Sequence, residues 1–154
     1  ASLPASNNSP EDPADKLLDA YRDIDSRVTV GISYQDYGPE VGRLRSALSR
    51  YKRAVTDDDS DRVTEIVKLA GRSFDHFDNA LGLWRNKFNG RSLHFDGLDR
   101  YLLMNRAETS RLRGLYHQLP GDGGIEIDPG VAHILSVASI SVDRLERAIN
   151  KDAE

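Results

Sequence analysis

The sequence predicts an all-α protein, an antiparallel helical bundle of four to five helices. Three observations lead there. Apolar residues recur at spacings of three and four along most of the chain, Gly and Pro gather between those stretches, and alternation of the strand type is confined to a brief piece around Ile125 and Ile127. Amphipathic helices joined by short loops must bury their stripes against one another, and a bundle does this most simply.

The first helix is expected over 13–28. Asp12 is placed to cap it, Pro13 suits the first helical position because its missing N–H costs nothing there, and Leu17, Tyr21, Ile24 and Val28 share one stripe. The second carries Val41, Leu44, Leu48, Tyr51 and Val55 in a narrow seam, with Pro39 expected in its first turn and Gly38 marking a break before it. The third is expected over 60–88, with Val63, Ile66, Ala70, Phe74, Phe77, Leu81, Trp84 and Phe88 in one sector. A fourth follows Asp96 and takes in Leu98, Leu102, Leu112, Leu115 and Tyr116, and "LPGDGGIEIDPG" then breaks the chain. A fifth is expected over 129–149, burying Val131, Ile134, Leu135, Ala138, Val142, Leu145 and Ile149.

A chain of 154 residues suits one domain with a sizeable core, here expected over 13–152. Residues 1–12 are rich in Ser, Pro, Asn and Ala and too poor in apolar surface to fold alone, so they read as a disordered tether. Such a start, without an initiating methionine, fits a trimmed secreted protein or a lipoprotein with a lipid anchor upstream of Ala1. Export, periplasmic or membrane-tethered, is therefore expected, with a cytoplasmic chain cut at an arbitrary point left open. The net charge of −4 gives no general attraction to nucleic acid, and no apolar run is long enough for a transmembrane segment.

Chemistry is sparse. There is no cysteine, hence no thiolate metal site and no thiol nucleophile. "TDDDSD" fails as a calcium loop, because counting from Asp57 the sixth and twelfth positions hold Arg62 and Lys68. The four histidines, His76, His94, His117 and His133, lack the spacing of helical metal motifs, and His76 reads as solvated among Asp75 and Asp78. No nucleophile elbow, phosphate loop or carboxylate pair in an apolar setting stands out. No catalytic residue, metal or cofactor is predicted, and the chain is read as not an enzyme.

The segment "VGISYQDYG" draws more attention. Val30 and Ile32 read as hydrophobic plugs at the bundle's end, Gly31 as the turning point, and Ser33 with Asp36 as a capping-box variant. Tyr34 and Tyr37 are expected on one face with their hydroxyls in water. Behind them the second helix carries Arg43, Arg45, Arg50, Lys52 and Arg53 against Glu40 alone, in rows seven residues apart.

"VGISYQDYGPEVGRLRSAL" resembles a pattern in small uncharacterised bacterial proteins, many of them exported and cyanobacterial. In these a first helix ends in VG-(V/I)-x-Y-x-DY, a second helix follows, and a later one carries a Leu–Trp pair. The matching residues here are Val30, Gly31, Ile32, Tyr34, Asp36 and Tyr37, then Leu83 and Trp84. The resemblance covers about residues 14–88 and implies a helical domain without a known activity. Gly38 and Pro39 depart from the helix-favouring residues that follow DY, which leaves the start of the second helix open.

Together these readings suggest a non-enzymatic module of the bacterial cell envelope, binding a protein or small molecule through Tyr34, Asp36, Tyr37, Arg43, Arg50 and Tyr51, residue types enriched at interfaces. The alternative is a small-ligand or metal-binding bundle with a pocket near Trp84, Phe88, His94 and Phe95.

Overall fold

The computed structural model describes residues 12–88 and 127–151, with side chains for 12–85 and 130–151. They form four helices: α1 (Pro13–Val30), α2 (Tyr34–Ala54), α3 (Asp61–Phe88) and α4 (Ile127–Asn150). The expected fourth helix, with His94, Phe95 and His117, lies outside the described residues, and the expected fifth is α4.

Caps rather than stripes set the ends. The Asp12 carboxylate accepts from the Ala14 N–H at 3.0 Å, with Pro13 in the first turn. At the other end α1 runs past Val28 to Gly31, whose N–H donates to Arg27 O at 3.0 Å while its φ of 113° turns the chain away. Val30 therefore sits on the helix about 200° round from Val28. It is 89% exposed, so the expected plug at this position is wrong, whereas Ile32 does pack against the core.

The second helix starts earlier than Gly38 and Pro39 suggest. Ser33 Oγ accepts from the Asp36 N–H at 3.2 Å and donates to the Asp36 carboxylate at 2.9 Å, so the cap lies before Tyr34 and Pro39 falls inside the helix. Gly38 makes this tolerable, because the clash of a proline ring with the preceding Cβ has no Cβ to meet. Ser60 caps α3, its hydroxyl accepting from the Val63 N–H at 3.3 Å. At 28 residues α3 is about 40 Å long.

The helices pack as a ring, α1 on α2, α2 on α3, α3 on α4 and α4 back on α1, with each neighbour antiparallel. The α3–α4 seam is the most extensive. The expected stripes of the four described helices face the centre, including Leu17, Tyr21 and Ile24 of α1, Val41, Leu44 and Leu48 of α2, and Ala138, Val142 and Leu145 of α4. Because α3 has two neighbours it buries a second row, Ser73, His76, Ala80 and Leu83, beginning where Ser141 Oγ donates to Ser73 Oγ at 2.7 Å. His76 is thus buried rather than solvated.

Two tyrosines lock the register. Tyr21 of α1 reaches diagonally across the core to donate to Ala70 O of α3, and Tyr37 of α2 donates to Phe77 O, both at 2.6 Å. Burial, with Asp75 adding repulsion at Tyr21 and Asp78 at Tyr37, pushes both phenols far above their usual range. At one end, Arg62 of α3 joins the Asp12 carboxylate at 3.0 Å to Ile149 O at 3.1 Å. On the α1–α4 side Arg22 pairs with Asp143 and Glu146.

Replacing Tyr21 or Tyr37 by Phe should cost about 1 kcal/mol each. Unfolded tyrosines ionise near pH 10, whereas these two must keep their protons to donate. The folded state therefore binds more protons above that pH, and stability should fall by up to about 1.4 kcal/mol per pH unit for each tyrosine as pH rises. Urea midpoints measured between pH 8 and 11 should decline less steeply in the Tyr21→Phe/Tyr37→Phe double variant than in the parent.

Candidate functional site

Four of the five basic residues of α2 divide into two rows by helical geometry, with Arg53 on the outward side between them. Arg45 and Lys52 look toward α3. Arg45 lies 3.4 Å from the Asp78 carboxylate, and its guanidinium stands 5.5 Å from the centre of the Phe74 ring. Asp75 sits nearby, its carboxyl raised chiefly by burial and lowered in part by His76 and Lys52. This row is balanced by α3.

Arg43 and Arg50 lie toward α1 instead, along a trough made of three adjoining depressions that share lining residues. The trough begins at the corner as an open depression of about 610 Å³ walled by Arg27, Val30, Ile32, Ser33, Glu40 and Arg43. It continues past Pro39, Arg43 and Ala47, about 470 Å³. It ends between Lys16, Ala20, Ala47 and Arg50, about 380 Å³. Its walls are α1, α2 and the 31–33 loop that joins them, so their interhelical crease is the candidate site.

Glu40 organises the upper part. Its side chain is 6% exposed yet ionically paired with Arg43 one turn along and with Arg27 across the crease at 3.7 Å. Arg27 also holds Asp23 at 3.2 Å. A buried carboxylate shared between two guanidiniums fixes both arginines, so their remaining N–H donors are held at the rim instead of sweeping through solvent. In the sequence Glu40 is the lone acid among the basic residues that follow Pro39, with no sign that it is buried. Its proximity to Arg27 depends on how α1 and α2 cross.

The six expected site residues separate. Arg43 and Arg50 are exposed on the crease, and Arg50 makes no ion pair among the described residues. Asp36 is exposed at the corner, committed to Ser33. Tyr34 is half-buried, its ring edge-on to Trp84 with centroids 5.8 Å apart. Tyr37 and Tyr51 belong to the core, with Tyr37 fully buried and Tyr51 nearly so. The expected wet hydroxyl of Tyr37 is wrong because α2 already includes it, four residues before Val41 on the buried stripe. Tyr51 extends the same seam.

Of the alternative pocket, Trp84 is half-buried against Tyr34 and Tyr37, whose ring lies 5.6 Å away. The side chain of Phe88, with His94 and Phe95, lies outside the described residues. Among the described residues no three His, Asp or Glu side chains converge on a point where a metal could sit, and no helix is long and apolar enough to cross a membrane. No family model, curated protein or solved structure matches the chain.

The corner rests on Gly31. No neighbouring atom lies within 4 Å of a Cβ built there, so a substitution meets only backbone strain. Gly31→Ala should lose about 1–3 kcal/mol, read from the urea midpoint. Gly42→Ala, at a helical site with equally open space, should gain about 0.5–1 kcal/mol.

Proposed function

We propose that this bundle is a non-enzymatic binding module whose docking face is the crease between α1 and α2, from the Gly31 corner to the Lys16–Arg50 end. The observation that carries this reading is the division of the α2 cations. One row faces the acids of α3, while Arg43, paired with Glu40, and Arg50 face α1 beside a trough that runs most of the length of α1. Exposed arginines beside a concave, partly apolar floor are the residue type and shape that interfaces favour. The composition of residues 1–12 and the resemblance around "VGISYQDY" support a setting at the bacterial cell envelope, reached by export.

Photocrosslinking in cells that make the protein natively tests this reading. Benzoylphenylalanine in place of Ser46, in the crease, should give discrete higher-mass adducts, and in place of Arg72, on exposed α3 surface, it should not. Arg43→Glu/Arg50→Glu should remove the adducts while the far-ultraviolet circular dichroism and melting temperature hold. Adducts at neither position, or equally at both, would overturn the assignment of the face.

A further inference from the structure

The Gly31 corner carries a projection and a hollow side by side. Among the described residues Val30 and Ile140 are the large apolar side chains left exposed, at 89% and 48%. One exposed valine is ordinary by itself. This one stands on the last turn of α1, at the rim of the open depression lined in part by Ile32 and Pro39, and Gly31 beside it adds no side chain to fill the space. Charge is balanced here, Arg27 and Arg43 against Asp36 and Glu40. Farther along, the crease has a floor of Ala20 and Ala47, a hollow with no large apolar side chain exposed at its rim.

Resting on the crease as docking face, we propose that its corner end takes a second copy of this chain, in a two-fold contact that seats Val30 of each copy in the depression of the other. A two-fold axis sets one patch against itself, so the patch must complement itself in shape and in charge. The projection beside the hollow meets the first condition, and the balanced charges meet the second. A patch of one sign would repel its copy. The register agrees. With the axis beside Pro39 the two α2 helices run antiparallel, and Asp36 of each copy falls opposite Arg43 of the other. Both side chains are exposed, Arg43 at 69%, and Glu40 holds Arg43 in place. The corner offers fewer side chains than the roughly 20–30 a side of a stable interface, so the dimer is weak and forms as concentration rises.

The test uses the full chain. Sedimentation velocity from micromolar to millimolar concentration should show a reversible shift from monomer to dimer. Val30→Asp should weaken the dimer about tenfold or more, because it puts a charge into an apolar seat. The circular dichroism of that variant should match the parent, because Val30 is exposed on its own chain. The absence of cysteine allows a second measurement. Under mild oxidation Pro39→Cys, at the axis, should form a disulfide dimer, since its two copies come within the ~7 Å that a disulfide spans. Ser49→Cys, exposed about three turns away on α2, should stay monomeric. A chain that sediments as a monomer throughout, a dimer indifferent to Val30→Asp, or equal cross-linking at both cysteines would overturn the proposal. If adducts form at Ser46 while the chain stays monomeric, the second copy alone is wrong. If neither dimer nor adduct forms, the docking face itself is wrong.

Discussion

Two hydroxyl-to-carbonyl bonds set the geometry on which the other contacts depend. Ala70 and Phe77 lie seven residues apart on α3, so Tyr21 and Tyr37 grip the same strip of its surface two turns apart, one from α1 and one from α2. Apolar packing tolerates small slides between helices, but a phenol buried without an acceptor costs about 1–3 kcal/mol. The two bonds therefore hold α3 in one axial position and one rotation. With α3 fixed in this way, its two buried rows meet α2 and α4 together. The α1–α2 crossing, and with it the crease, is fixed through α3.

The same rotation sorts the charges. Once Tyr37, Val41 and Leu44 face inward, helical geometry places Arg45 and Lys52 over α3 and Arg43 and Arg50 over α1. Asp75 and Asp78 neutralise the first pair, and the small α1 side chain Ala20 leaves room beside the second. Glu40 falls between the inward and outward sectors. That position is why it is buried and also why two arginines converge on it.

Most of the bundle was legible in the sequence because burial writes a period of three and four into it. The stripes of α1, α2, α3 and α4, the Asp12 cap and the Ser33–Asp36 pair could all be read directly. Less legible were features decided by two elements at once. Tyr37 looked like a corner residue because Gly38 and Pro39 suggested that the helix began after it, and the Ser33 cap overrode them. Val30 looked like a plug because its apolar character was read without the rotation that α1 imposes by continuing to Gly31. His76 looked solvated because one stripe was assigned to α3, a helix with neighbours on two sides. At the candidate site, Arg43 and Arg50 were found from spacing alone, whereas the buried Glu40, the Arg27 beside it and the alanine floor depend on the helix crossing.

Pro39 adds a mechanical aspect to the corner. Lacking an N–H, it leaves the Gln35 carbonyl outside the helical ladder, so a rung of α2 is missing just after the opening turn. That turn is instead tied sideways, through the Tyr37 hydroxyl to Phe77 O and through the Tyr34 and Tyr37 rings to Trp84. The loop 31–33 is therefore anchored to α3 as well as to α2. The corner is pinned to the long helix, and the α1–α2 crease starts from a point that the third helix carries.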